Sequence, residues 1–195
     1  GHNALDATGQ NAHTGTIAIG HKALTACTSG ARNLAIGYQA LQHADTATDN
    51  IAIGYQALSD QNVGGSGHAA DCDHNIAIGS LAMSGAWADS KSERNVAIGT
   101  SAMAGAMDES VDNIAIGYYA LTAVTTGDNN IGIGRNSGDT LTTGSYNTFI
   151  GKDAGGNVDN AAMRNVAIGN NALNGGGSPD DAVAIGTNAM GNATG

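Results

Sequence analysis

The sequence predicts an all-β chain folded as a parallel β-solenoid, and three observations lead to that prediction. The motif Asn–Ile/Val–Ala–Ile–Gly–x–x–Ala–Leu/Met recurs through all 195 residues, at intervals of 17 to 25 residues. Apolar and small residues alternate before each glycine of the motif, as they do in a β-strand. Turn-forming Asp, Asn, Ser, Thr and Gly fill the segments between motifs. Repeats of this length that contain a strand stack as successive coils of a solenoid.

The composition excludes several other classes of protein. The chain has 30 glycines but one proline, and glycine does not fall at every third residue, which excludes collagen. No apolar run approaches the roughly 20 residues of a membrane-spanning helix. The net charge is −10, from 17 acidic and 7 basic residues. Nucleic-acid binding is not expected, because neutralising phosphates requires clustered Lys and Arg.

We number each motif from its central glycine, here called the frame glycine, so that position −1 precedes it and position +1 follows it. Gly1 is the frame glycine of a motif whose first half is missing. Residues 1–195 are therefore predicted to be a single array of about ten coils, cut from a longer fibre. The ten frame glycines of complete motifs are predicted to form the corners of the coils. They are Gly20, Gly37, Gly54, Gly79, Gly99, Gly117, Gly134, Gly151, Gly169 and Gly186.

The strand of each motif has two different faces. Position −1 is isoleucine in all ten complete motifs, and position −3 is Leu, Ile or Val except at Thr148. Position −2 is alanine except at Gly132 and Phe149. One face is therefore a row of Ile and Val, and the other a row of Ala and Gly that lets another chain approach closely. We predict three chains wound about a common axis with their Ala/Gly faces near it, and a second short strand after each corner.

Position −4 is asparagine in eight motifs. Stacked coils place these residues above one another, so their side-chain amides are predicted to bond along the axis as a structural ladder. The ladder residues are Asn33, Asn50, Asn75, Asn95, Asn113, Asn130, Asn147 and Asn165.

Three segments carry a resemblance to known families. The segment from Asn33 to Leu41, its near copy at 50–58, and the segment from Asn147 to Gly155 resemble the repeats of bacteriophage tail-fibre proteins. They are also similar to the head repeats of trimeric autotransporter adhesins, which share the Val/Ile-Ala-Ile-Gly core. The resemblance implies a left-handed parallel β-roll in a trimeric fibre, which acts as a shaft or an adhesive head. No active site transfers with it, because the shared motif is structural.

The longest interval contains the residue types of a metal site. Imidazole, thiolate and carboxylate groups all bind transition metals, and a trimer would multiply the ligands at its axis. A solvated polar loop explains the same residues, and we favour it because no paired Cys-x-x-Cys accompanies them. We therefore predict no metal and no cofactor. The candidate ligands, should a metal bind, are His68, Asp71, Cys72, Asp73 and His74.

The two cysteines, Cys27 and Cys72, lie in loops of coils two apart, about 10 Å along the axis. That separation exceeds the limit of about 7 Å between the Cα atoms of a disulfide, unless the long loop folds back. The sequence is compatible both with a disulfide between the two cysteines and with two free thiols.

Aromatic residues are the candidate ligand-binding groups. Tyr38 and Tyr55 occupy position +1 in successive coils, and Trp87 lies in a long loop. Exposed aromatic rings are flat platforms for carbohydrate, which makes these three residues candidates. For the tyrosines we favour a stabilising aromatic ladder, whereas for Trp87 the two interpretations are balanced.

The motifs of catalysis do not occur in the sequence. It contains no nucleophile elbow, no phosphate-binding Gly-x-x-x-x-Gly-Lys and no His-Glu-x-x-His. We therefore expect a non-enzymatic, homotrimeric segment of a virion appendage, with a host-surface glycan or protein as its partner. The alternatives are the head of a bacterial surface adhesin and a glycan-cleaving fibre, which would require a pair of carboxylates in a groove.

Overall fold

The computed structural model of the protein describes residues 1–6, 14–44, 46–59, 72–85, 91–177 and 180–191. Ten strands form one parallel sheet in the order in which they occur along the chain, so the chain is a β-solenoid, as the repeat predicts. The described residues include no helix. The strands are β1 (Ile17–Ile19), β2 (Leu34–Ile36), β3 (Ile51–Ile53), β4 (Ile76–Ile78), β5 (Val96–Ile98), β6 (Ile114–Ile116), β7 (Ile131–Ile133), β8 (Thr148–Ile150), β9 (Val166–Ile168) and β10 (Val183–Ile185).

The register of the sheet follows the motif and not the length of the loops. Ala35 is paired with Ala52, 17 residues later, and Ala52 is paired with Ala77 across the longest interval. Because every strand pairs at the same position of the motif, each motif position forms a column that runs along the solenoid. The columns determine which side chains of different coils become neighbours.

The predicted second strand is wrong, because the residues after each corner form turns. Positions +2 and +4 adopt positive φ in every coil, as at Gln56 (φ 50°) and Leu58 (φ 53°). This conformation is costly for leucine, whose Cβ crowds the backbone. It is compensated by hydrogen bonds between coils, because Gln56 N donates to Tyr38 O of the preceding coil and Leu58 N donates to Ala82 O of the following one.

The frame glycines form corners that other residues cannot occupy. In the ten complete motifs their φ angles lie between 124° and 139°. A Cβ added at Gly117 would fall within 3.0 Å of the carbonyl oxygen of Gly134 in the next coil. Glycine is therefore required both for the backbone conformation and for the close approach of successive corners.

The core lies inside the coils of the single chain. Alanines at position −2, such as Ala52 and Ala97, are completely buried, as are leucines and methionines at position +4, such as Leu58 and Met103. The two columns pack against each other, so a small residue faces a large one. Within the described residues, no helix reaches the length and hydropathy that crossing a bilayer requires.

Candidate functional site

The most extensive candidate site is the Ile/Val face, which we define as the side chains at positions −3 and −1 of the ten strands. These side chains are half-buried or exposed, and Ile98 and Ile116 in the middle of the solenoid are 36% exposed. The residue between them is buried on every strand except β1, where Ala18 is partly buried. Thr148 is the single polar side chain of the face.

This arrangement corrects the prediction that the Ala/Gly face is open to sister chains. The alanines cover the leucines and methionines of their own chain, because each coil turns back at its frame glycine and closes over that side of the strand. A Cβ added at Gly132, at position −2, would lie 2.7 Å from Leu121 Cγ, so the space inside the coil is already filled. The side of the strands that stays partly exposed is the Ile/Val face.

The eight asparagines at position −4 tie each coil to the next. Asn113 is fully buried, and its Oδ1 accepts a hydrogen bond of 2.9 Å from the backbone N–H of Asn130. Its Nδ2 donates to the carbonyl of Gly127 at 2.9 Å and to Asn95 Oδ1 at 3.1 Å. The amides therefore form the predicted side-chain ladder, but they also bond to the backbone of the adjacent coil, which the repeat alone does not indicate.

A column of ion pairs runs along the surface at position −5. Each pair joins an arginine to an aspartate of the next coil through two parallel hydrogen bonds. The pairs are Arg32–Asp49, Arg94–Asp112 and Arg164–Asp181. The hydrogen-bonded guanidinium holds the pKa of each of these carboxyl groups below its usual range. Exposed pairs of this kind contribute little to stability, so the column is better understood as a polar surface than as a site.

Asp139 is an exception among the carboxylates. Its Oδ1 is buried and has no hydrogen-bond partner in the described part of the chain. Burial raises the pKa of Asp139, and the charge of Asp153 acts in the same direction. We assign Asp139 no chemical role.

Position +1 forms a column of aromatic rings that begins at the first coil. His2, His21, Tyr38 and Tyr55 stack face to face, with centroid separations of 5.2 to 5.6 Å and interplanar angles of 7 to 11°. The stack is the aromatic ladder favoured for the two tyrosines. The sequence analysis missed the two histidines, although both follow a frame glycine and so share the position of Tyr38.

The two tyrosines of the stack differ in what they leave open. Tyr38 has a ring on either side, so both of its faces are covered. Tyr55 is stacked on one face alone and is 51% exposed. Farther along the column, Tyr118 is 47% exposed, and the guanidinium of Arg135 lies over its ring, 5.8 Å from the centroid. The ring of Tyr119 also packs against Tyr118 in a T-shaped arrangement, with centroids 4.3 Å apart and an interplanar angle of 74°. Tyr55 and Tyr118 are therefore both partly accessible, and Tyr55 is open on the face away from Tyr38.

The three candidate metal ligands that the structure describes, Cys72, Asp73 and His74, do not form a metal-binding group. His68 and Asp71 lie outside the described residues, as does Trp87. Cys72 is buried, Asp73 Oδ1 accepts a hydrogen bond from Thr48 N at 2.6 Å, and His74 Nε2 lies 3.6 Å from Asp49 Oδ2. Among the residues that the structure describes, no three His, Cys, Asp or Glu side chains are grouped as metal ligands would be. Cys27 and Cys72 are both buried and form no disulfide with each other.

Comparison with protein-family models, with curated proteins and with solved structures finds no match to this chain. The function is therefore argued from the surfaces described above.

Proposed function

We propose that this chain is a non-enzymatic structural segment of a homotrimeric phage tail fibre or a similar virion appendage. It acts as a rigid spacer and takes part in attachment to a glycan or protein of the host surface. The observation that carries the proposal is the Ile/Val face, which is apolar along all ten strands except at Thr148.

An apolar face of this length favours assembly with other copies of the chain. Ten strands at the usual separation give a face about 43 Å long. Continuous apolar surfaces are rarely left open on soluble monomers and commonly mark interfaces. Each chain presents one such face, and a cyclic assembly around one axis buries all of them equivalently. The resemblance to tail-fibre and adhesin repeats supports three chains.

The coil construction supports a mechanical role. Strand pairing, the turns after each corner and the asparagine ladder all form hydrogen bonds between successive coils, as at Asn113 and Leu58. A rod built from such bonds resists bending along its whole length. A trimer presents three copies of any weak contact on its surface. When all three bind the host at once, avidity makes the attachment tighter than one contact alone.

Light scattering coupled to size exclusion tests the assembly. Three chains of 19.2 kDa give a particle of about 58 kDa. Ile116→Lys places a charge in the centre of the Ile/Val face, at a side chain that is already partly exposed, and is expected to yield folded monomers. Tyr146→Lys, at an exposed position outside the face, is the matched control and is expected to remain trimeric. A folded wild-type monomer would contradict the proposal.

The alternative is the head of a bacterial trimeric autotransporter adhesin, located on the bacterial cell surface. The Val/Ile-Ala-Ile-Gly core occurs in both kinds of repeat, so the motif supports the adhesin head as well as it supports the tail fibre. The full-length gene distinguishes the two: an adhesin has an export signal and a membrane anchor, whereas a tail fibre has a domain that attaches it to the virion.

A further inference from the structure

The column at position +1 continues in register beyond Tyr55. The backbone carbonyl of each residue in the column accepts a hydrogen bond from the N–H of position +2 in the next coil. These bonds measure 2.9 Å at Tyr55, 3.0 Å at Ser80 and 3.1 Å at Thr100. Tyr55, Ser80, Thr100 and Tyr118 therefore occupy four successive levels of one column.

The two tyrosines enclose a gap in the aromatic stack. Tyr55 and Tyr118 are three levels apart, which is about 14 Å at the usual strand separation. Ser80 and Thr100 occupy the levels between them, and their side chains are too small to continue the stack. Thr100 is exposed and Ser80 is half-buried, so the gap is open to solvent. The gap, here called the hydroxyl slot, has the height of two missing rings.

An aromatic residue stands at each end of the hydroxyl slot, and Tyr55 presents the face of its ring. Tyr38 covers the opposite face of Tyr55, at a centroid separation of 5.4 Å and an interplanar angle of 7°. Arg135, one level beyond Tyr118, lies over the ring of Tyr118 on the side away from the slot. Tyr119 packs against Tyr118 at a centroid separation of 4.3 Å and an interplanar angle of 74°. The slot therefore has the face of Tyr55 at one end, the Tyr118–Tyr119 pair at the other, and two hydroxyl groups between them.

We infer that the hydroxyl slot binds a neutral saccharide, with its pyranose rings between Tyr55 and Tyr118. A pyranose has an apolar C–H face, which packs on an aromatic ring, and a rim of hydroxyl groups, which exchange hydrogen bonds with Ser80 and Thr100. A flat aromatic ligand would leave those two hydroxyls without a partner. Ser80 and Thr100 are uncharged, and the net charge of −10 repels an acidic glycan. This inference rests on the proposed attachment role for its biological meaning, but not on the trimer.

Titration by NMR tests the inference on the full chain, with ¹³C-labelled tyrosine rings as reporters. The probes are maltohexaose, cellohexaose and mannohexaose, added separately at millimolar concentration. Saccharide binding is expected to shift the ring signals of Tyr55 and Tyr118 and to leave Tyr146, an exposed tyrosine of another column, unchanged.

The variant Ser80→Tyr/Thr100→Tyr fills the slot with rings, which position +1 accepts at Tyr38 and Tyr55. It is expected to weaken binding by at least about tenfold, which is the order of one or two aromatic contacts. Thr187→Tyr adds a ring to the same column outside the slot and is the matched control, with unchanged affinity. Tyr55→Ala provides a second route to the loss of binding, and circular dichroism verifies that each variant is folded.

Three outcomes would overturn the inference: no probe shifts Tyr55 and Tyr118, the filled variant binds as well as the wild type, or thioflavin T shifts both rings while no saccharide does. The inference and the proposed function fail separately. A trimer whose slot binds none of the three saccharides would contradict the inference alone. A monomer whose Tyr55 and Tyr118 signals shift with a saccharide would contradict the proposed trimeric fibre and support the inference.

Discussion

Gly155 lies directly against the ring of Phe149: a Cβ placed on Gly155 would stand 2.7 Å from the ring Cγ. Gly138, at the same position of the preceding coil, is equally close to the other side of the ring, since its Cβ would stand 2.7 Å from Cδ2. Position +4 is elsewhere Leu or Met, and position −2 is elsewhere Ala or Gly. The large and small residues have therefore exchanged places around Phe149, and the core keeps its volume.

This exchange predicts non-additive effects on stability. Phe149→Ala leaves a cavity between two glycines and is expected to lower the free energy of unfolding by about 3 kcal/mol. Gly155→Leu restores the common residue at +4 but overlaps the ring. The double variant Phe149→Ala/Gly155→Leu has the side chains of an ordinary coil, so its loss is expected to be at least about 1 kcal/mol smaller than the sum of the single losses. Urea unfolding at one fixed chain concentration measures all three, and additive losses would contradict the exchange.

The asparagine ladder predicts a cost for removing one amide. Asn113→Ala leaves the buried N–H of Asn130 without its acceptor, and an unsatisfied buried backbone group costs about 2 kcal/mol. The free energy of unfolding is expected to fall by at least that amount. Asn170→Ala, at an exposed position, is the control and is expected to change stability by less than about 0.5 kcal/mol. Equal effects at the two positions would show that the ladder contributes nothing specific.

The corners predict that two frame glycines respond differently to the same change. Gly117→Ala combines an unfavourable φ of 138° with a clash against Gly134 O. Gly186→Ala has a similar φ of 124°, but no atom lies within 4 Å of the added Cβ. The difference between the two variants therefore isolates the effect of the clash. Gly117→Ala is expected to lower the free energy of unfolding by at least about 2 kcal/mol more than Gly186→Ala does. Thermal unfolding followed by circular dichroism measures both, and similar melting temperatures would contradict this account of the corner.

The strand and corner of each coil follow from local patterns in the sequence. Alternation between Ile and Ala identifies a strand with two faces, and a glycine at a fixed distance marks the corner. The pattern does not indicate which face the coil closes over, because both rows are apolar. That choice depends on Leu and Met at +4, which enter the coil through a left-handed conformation that their own propensities oppose. The stacking of successive coils overrides those propensities. Because local propensities do not show this effect, they predict a strand after Gly54 where the chain forms a turn.

The candidate site was predictable only in part. The sequence places Tyr38 and Tyr55 at one position of the motif, and this is sufficient to predict their stacking. The same position holds His2 and His21, but a search for Phe, Tyr and Trp passes over them because they are histidines. Nor does the sequence distinguish a covered ring from an open one, since that depends on the size of the residue in the next coil, such as Ser80 after Tyr55. Columns compared position by position would have found both features.

The buried carboxyl of Asp139 predicts a dependence of stability on pH. Its pKa in the folded chain is raised by burial above the unfolded value of about 3.9, so its ionised form lowers stability at pH values above the folded pKa. Asp139→Asn removes this penalty, and the free energy of unfolding is expected to increase at neutral pH. The gain is expected to disappear as the pH falls through the raised pKa towards about 3.9.

Asp49→Asn is the control of opposite sign for Asp139. The hydrogen bond from Arg32 lowers the pKa of Asp49, so its carboxylate contributes stability above about pH 3.9 that is lost as the pH falls through the lowered value. Replacing it is expected to destabilise slightly at neutral pH, because the pair is exposed. Urea midpoints at neutral and acidic pH measure both variants. A gain from Asp139→Asn that persists at acidic pH would contradict the burial of an ionised carboxyl.

Thr148 is the one polar residue of the Ile/Val face, and this predicts how the proposed trimer responds to its removal. If three faces meet at an axis, each Thr148 hydroxyl is taken from water, and its in-register neighbours Ile131 and Val166 are apolar and offer it no side-chain partner. Thr148→Val is expected to stabilise the assembly by about 1 kcal/mol per chain, since it replaces a desolvated hydroxyl by a methyl group of similar size. Thr187→Val, at an exposed position outside the face, is expected to leave it unchanged. Dissociation by dilution, followed by light scattering, compares the two variants, and a Thr148→Val protein that dissociates at the same concentration as the wild type would place the Ile/Val face outside the interface.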